Sequence, residues 1–432
     1  MAEQKTLQFH KPRLNGSIKV PGDKSISHRS IMLGAIAEGR TTVEGFLEGE
    51  DCLRTIEIFK QLGVSIERQG TNVTIDSPGI ENWTTPSDEL YAGNSGTTAR
   101  LMLGILAGSN VSSVLTGDES LSKRPMKRVT IPLQSMGAKI VGTEDDEYLP
   151  LTVKGGELSG MTYHVPVASA QVKSAILFAG LRASGKTIVS EPAISRDHTE
   201  RMFEQFGVSI ETNGNTVTIE GGQTLQASSV KVPGDISSAA FFLAAAAMVE
   251  NSCVEIVEVG LNPTRTGIIE VLRHMGAAID VHEETGGRGE SYGTIKVSKA
   301  TLHGIEISGE IIPTLIDELP IIALLATQAE GTTIIKDAAE LRVKETDRIA
   351  AVTTELKKLG ASIEATPDGM IIHGPTPLKG TSMNSYGDHR LGMMAAIASL
   401  VADGEVIIED PACIAVSYPN FFEHLTALVN NG

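Results

Sequence analysis

One short phrase, apolar–Gly–small–x–Ile, returns five times along this chain: LGVSIE from residue 62, MGAKIV from 136, FGVSIE from 206, MGAAID from 275 and LGASIE from 359. A phrase repeated at long intervals constrains a fold more than any single residue, because each copy marks one supersecondary unit. Each copy follows a stretch of helical period and leads into a strand-like one such as NVTID, TVTIE or GMIIHG. Before the last copy, Ile349, Val352, Leu356 and Leu359 share one helix face. The glycine suits the left-handed residue just past a helix end. The Val and Ile that follow suit a strand.

A second phrase alternates with the first. A polar cluster opens an Ala-rich helix, which ends near a Gly and a β-branched strand. The six openings are GDKSISHRS (22), NSGTTAR (94), SAQVKS (169), GDISSAA (234), DELP (317) and GDHRLGM (387). They recur roughly every 70 residues, a unit of two helices and several strands. The expected class is α/β, with six units divided into two lobes of three. PGDKS at 21 and PGDIS at 233 echo each other, and the second marks where the second lobe starts. The expected lobes are 1–20 plus 236–432, and 21–235.

Helices that open with Ser, Asp, Asn, Thr and Gly present backbone N–H groups at their starts. Such ends carry partial positive charge and bind anions. Converging ends favour phosphates and carboxylates. The net charge of −17 counts against nucleic acid and anionic membranes, but a local cation cluster still serves a small anion. No apolar run reaches 18 residues, and MAEQKTLQFHKPRLNG has no apolar targeting core, so a cytoplasmic protein is expected. Cys52, Cys253 and Cys413 lie far apart and form no zinc spacing; His28, His198 and His389 form none either.

Gly180 to Thr187 fits the P-loop pattern GxxxxGK[ST]. A P-loop needs a strand before and a helix after. Here a helical stretch precedes and TIVSEP follows, so a helix-to-strand turn with a Gly cap is expected and nucleotide binding is rejected.

Basic residues gather at the openings. The first carries Lys24, Ser25, His28 and Arg29, and the second Asn94, Gly96, Thr97 and Arg100, with Arg124 and Arg128 in SKRPMKR nearby. The third has Ser169, Gln171 and Lys173, then Arg196 in SRDHTE. The second lobe adds Asp317, then Lys344, Glu345 and Arg348 in LRVKETDR, then His389 and Arg390. A lone cation in a first helical turn usually just reaches water. Repeated at equivalent places it opposes the helix dipole, unless an anion is present. Asp317 and Glu345 stand out among these cations. Asp317 is either a plain helix cap or a proton acceptor; Glu345 is either a first-turn dipole partner or a second proton-transfer group.

PGDKSISHRS, GNSGTTARL, RPMKR, SAQVKSA, LRVKETDRI and GDHRLGM stand in the order they take in EPSP synthases. The chain therefore resembles that branch of the enolpyruvyl transferases from about Pro21 to SYPNFF, essentially throughout. The resemblance implies an inside-out α/β barrel of two lobes, each of three repeats with helices on four-stranded sheets, and an active site in the cleft between them that closes on substrate. It implies transfer of the enolpyruvyl group of phosphoenolpyruvate to the 5-hydroxyl of shikimate 3-phosphate by addition and elimination, on the shikimate pathway to chorismate and the aromatic amino acids. Lys24, Ser25, Arg29, Ser169, Ala170, Gln171, Arg196, Asp317 and Lys344 would hold shikimate 3-phosphate. Lys24, Gly96, Arg124, Gln171, Arg348 and Arg390 would hold phosphoenolpyruvate. Asp317, Glu345 and Lys24 would be catalytic. No metal or organic cofactor, nucleic acid or membrane is implied, and a monomer is expected.

Two departures matter. Ala170 replaces a common second Ser and leaves only a backbone contact, and Val416 stands where many members carry a Lys. These features match the more divergent lineage, where tolerance to glyphosate is common, yet Gly96 leaves room for that inhibitor. Two rivals remain. The sister transferase acting on UDP-N-acetylglucosamine usually carries a reactive Cys in a first-lobe loop, and LTGDESLSKRPMKR has none. A module that merely captures anions would not call for Asp317 and Glu345.

Overall fold

A computed structural model describes residues 3–284 and 289–430. The chain forms two compact units, one of Met1–Pro21, Pro233–Thr285 and Ser291–Gly432, the other of Gly22–Val232 and Gly286–Glu290. Each has its own hydrophobic core. Among the described residues no helix is long and apolar enough to cross a membrane.

The repeat is strand, helix, strand, helix, hairpin. In the second repeat these are Leu90–Tyr91, Gly96–Ala107, Ser112–Thr116, Lys127–Ser135, and the hairpin Lys139–Thr143 with Tyr148–Lys154. The first two strands run parallel, and the hairpin's second strand pairs antiparallel beside them. Five sheets are four-stranded with this order. Two of them take their first strand from elsewhere in the sequence. Asn15–Ile18 joins Cys253–Gly260, and Ser229–Lys231 joins Glu38–Glu44.

The sixth repeat departs from the expectation of six four-stranded sheets. Ser382–Asn384 and Val406–Glu409 run parallel, and the N-terminal strand Gln4–Leu7 completes a three-stranded sheet. Leu378–Lys379 and Ala402–Asp403 pair separately. After Val406–Glu409 the chain enters a 3₁₀ turn, Pro411–Val416, and a last helix, Phe421–Asn430, instead of a hairpin. Only five copies of the glycine phrase exist for six openings, which is the same fact in the sequence. The sheets stay separate, and among the described residues none closes on itself, so the implied barrel is not a hydrogen-bonded one.

The opening helices are buried. Every residue of Ile236–Met248 is enclosed, as suits a helix apolar on all sides. Gly96–Ala107 and Ala170–Arg182 meet backbone to backbone: a Cβ at Gly104 would lie 2.1 Å from the Ala175 carbonyl oxygen. The second helix of each complete repeat ends as the sequence predicts. Gly63, Gly137, Gly207, Gly276 and Gly360 all take φ between 83° and 100°. At the first of these, Gly63 N–H bonds Lys60 O at 3.0 Å and Val64 N–H bonds Phe59 O at 3.1 Å, and the other four repeat this Schellman pattern. Ile349, Val352, Leu356 and Leu359 are all buried.

The P-loop look-alike is a helix-to-strand turn. Helix Ala170–Arg182 precedes it and strand Lys186–Ser190 follows. Its glycine is not the cap: Ala183 ends the helix in extended backbone, and Gly185 turns the chain with φ +81°.

Candidate active site

In the Gly22–Val232 unit, the candidate residues sit at helix starts. Asp23 caps helix Lys24–Ile36 through Ile26 N–H, Ser95 caps Gly96–Ala107 through Thr98 N–H, and Ser169 caps Ala170–Arg182 through Val172 N–H. A serine hydroxyl that accepts from the helix keeps its own proton to donate. Lys24, Ser25, Gly96, Ala170 and Gln171 occupy the first two positions of these helices.

Several of them meet. Gln171 accepts from Arg100 Nη1 at 2.5 Å and donates to Thr97 Oγ1 at 3.0 Å. A methyl at Gly96 would lie 3.4 Å from Arg100 Nη1 and 3.6 Å from Arg124 Nη1, so two guanidinium groups flank that helix start. Arg124 also donates to Asn94 and to the Ser120 hydroxyl. Lys24 pairs with Asp51, a mostly buried carboxylate on the neighbouring helix. Arg29 is buried and braces the fold: it donates to Ser25 O at 3.1 Å, Ser174 Oγ at 2.9 Å and Thr199 Oγ1 at 2.7 Å. Arg196 lies in the loop before helix His198–Gln205.

The other unit holds the acid–base candidates. Asp317 is not a helix cap. Helix Leu319–Ala326 starts after Glu318, and no side chain caps it. Asp317 Oδ1 instead lies 3.1 Å from Arg348 Nη1 and 3.4 Å from Lys344 Nζ, and Oδ2 lies 4.0 Å from Arg390 Nη2. Glu345 likewise precedes helix Arg348–Lys358, whose cap is Asp347. Its Oε2 accepts from Arg348 Nη2 at 2.7 Å. Partial withdrawal from water opposes ionisation of Glu345, but attraction from Arg348, His389 and Lys344 outweighs it. Its carboxyl is held well below the usual range.

Arg348 is the hub. It is 1% exposed and also donates through Nε to Asp388 Oδ2 at 2.7 Å. Burial opposes its charge, and Glu345, Asp388 and Asp317 together overcome that and hold it firmly cationic. Arg390 donates to Asp317 O at 3.1 Å and lies 3.7 Å from Glu318 Oε1. Glu318 in turn accepts from Ser237, which takes a hydrogen bond from Arg265 at 2.7 Å.

Sequence reasoning gathered the cations and missed the carboxylates that hold them. Asp51, Glu318 and Asp388 are acids at helix starts, where a cap is the ordinary reading, and Asp388 does cap, through Arg390 N–H. Arg100 was visible, one helical turn beyond Gly96, but had no role assigned. Val416 ends the Pro411–Val416 turn and supplies no charge. Among the described residues no cluster of three His, Cys, Asp or Glu side chains is arranged to hold a metal.

Comparison with known proteins follows the same lines. The family described as EPSP synthase (3-phosphoshikimate 1-carboxyvinyltransferase) matches residues 10–425. A 3-phosphoshikimate 1-carboxyvinyltransferase of Bacillus pumilus is 60% identical, over 98% of this chain and 99% of its own length. The structure of EPSP synthase from Acinetobacter baumannii superposes with a TM-score of 0.90 at 45% identity, covering 99% of this chain and 98% of that one. The enolpyruvyl transferase NikO from Streptomyces tendae, at 19% identity, shares the fold with a TM-score of 0.79 over 99% of this chain and 98% of that one.

Proposed function

The chain belongs to the EPSP synthase family, and from that premise we propose how its residues divide the work. The reaction moves the enolpyruvyl group of phosphoenolpyruvate to the 5-hydroxyl of shikimate 3-phosphate and releases phosphate. Ser25, Arg29, Ser169, the Ala170 backbone, Gln171, Arg196, Asp317 and Lys344 hold shikimate 3-phosphate. Gly96, Arg124, Gln171, Arg348 and Arg390 serve phosphoenolpyruvate, and Lys24 serves both.

In the addition, the 5-hydroxyl oxygen attacks C2 of phosphoenolpyruvate while Asp317 takes the hydroxyl proton and C3 gains one. Lys24, an ammonium, is the acid suited to that step. In the elimination, the C2–O bond to phosphate breaks and C3 gives up a proton, for which ionised Glu345 is the suited base. The surrounding cations stabilise charge as it develops on the phosphate. A monomer working in the cytoplasm without nucleic acid or membrane is part of this proposal.

One observation carries it: Asp317 is freed from capping and ringed by Arg348, Lys344 and Arg390. Asp317→Asn keeps the size and cannot take the proton. We expect kcat to fall by about 10²–10⁴-fold, the usual share of general-base catalysis, with shikimate 3-phosphate affinity little changed. Near-normal kcat in a folded variant would remove Asp317 from the chemistry.

A further inference from the structure

Behind Ser169 and Arg196 lies a buried charge cluster with no part in either transfer step. Lys173, one turn into helix Ala170–Arg182, has Nζ 3.0 Å from Glu191 Oε2 and 2.8 Å from Glu200 Oε1, and the three side chains are 1–6% exposed. Arg29 closes on the same place through Thr199 and Ser174, whose hydroxyls pair at 2.7 Å. Two cations and two carboxylates cancel. Buried ion pairs can usually be exchanged for apolar residues of like volume without loss of stability, so stability alone does not account for this one.

Glu191 suggests another role. It stands just past strand Lys186–Ser190. Its Oε1 accepts the Ser169 N–H at 2.9 Å, and its Oε2 accepts the Ser195 hydroxyl at 2.7 Å. Lys173 Nζ adds a bond to Ser195 O at 3.4 Å, and Asn215 donates to the Glu191 carbonyl. Ser169 starts one helix, and Ser195 adjoins Arg196 ahead of the next. One carboxylate therefore ties together two segments that are distant in sequence. A site that must receive a phosphate gains when its donors are already placed, because little freedom is then lost on binding.

We propose that Glu191, with Lys173 as its counter-ion, is a positioning residue for shikimate 3-phosphate, fixing the Ser169 and Ser195–Arg196 segments in the phosphate-holding arrangement. This rests on the reading above that Ser169 and Arg196 hold that phosphate.

Steady-state kinetics on the full chain test it. Lys173→Met with Glu191→Leu removes one cation and one carboxylate together, keeping the net charge, and takes the Lys173 contact from Glu200. KM for shikimate 3-phosphate should rise about tenfold, while kcat and KM for phosphoenolpyruvate stay within about twofold. Ser195→Ala removes a single link and should raise the same KM about threefold. If the double variant does not fold, Ser195→Ala decides alone. Unchanged KM for shikimate 3-phosphate, or an equal rise for both substrates, overturns the proposal. Arg196→Ala separates the two claims. If it raises KM for shikimate 3-phosphate and the cluster variants do not, only the positioning role fails. If it has no effect, the phosphate assignment fails and takes the positioning role with it.

Discussion

Arg124 and Arg348 were both assigned to phosphoenolpyruvate, yet their surroundings differ. Arg124 is half-buried, and its partners, Asn94 and Ser120, are neutral and easily exchanged for an anion. Arg348 is enclosed by Asp317, Glu345 and Asp388. Arg124→Ala should weaken phosphoenolpyruvate by about 1.5–3 kcal/mol, the worth of a charge-assisted contact. It should change unfolding free energy by no more than about 0.5 kcal/mol. Arg348→Ala takes a cation from three carboxylates, one of them the fully buried Asp388, and should also cost about 3–5 kcal/mol of stability. Urea unfolding beside substrate titration distinguishes them. An Arg348→Ala protein as stable as the parent would show that the enclosure holds nothing together. The sequence exposed both arginines but not this difference, because a pattern of basic residues carries no record of which acids fold against them.

The opening helices of the first two repeats are joined by a buried chain of polar groups. His28 Nδ1 lies 2.8 Å from Thr55 Oγ1, which lies 2.9 Å from Thr98 Oγ1, which donates to the cap Ser95 at 2.7 Å. Burial, then Lys24, pushes the His28 pKa down to about 3; Asp51 partly opposes this and Arg29 adds a smaller push down. The folded protein therefore binds fewer protons here than the unfolded chain between that value and the ordinary pKa of about 6.5. Stability from His28 is complete above about pH 6.5 and is lost as pH falls, by about 1.4 kcal/mol per pH unit. Denaturant unfolding from pH 8 to 4 should show His28→Asn losing that part of the slope. An unchanged slope would mean His28 takes up its proton without cost. At this scale much was legible. The glycine phrase yielded five Schellman ends because only left-handed backbone stops those helices, and the polar openings yielded caps in five of six helices. The failure was Leu319–Ala326, where DELP resembles a cap and the chain instead spends Asp317 on cations.

Across the whole molecule, repetition made the class and the alternation of helices and sheets readable, since each repeat reports on its neighbours. Long-range choices were hidden. Nothing local says that Asn15–Ile18 pairs with Cys253–Gly260, or that Gln4–Leu7 takes the place of a missing hairpin in the sixth repeat. In the proposed division the cations serve two anionic substrates, and Asp317 and Glu345 serve proton transfer rather than capture alone. The direct measurement is phosphate release by the purified protein. Phosphate should leave phosphoenolpyruvate only when shikimate 3-phosphate is present, one equivalent for each enolpyruvyl ether formed. Release with UDP-N-acetylglucosamine in its place, or no release with both substrates present, would contradict the account.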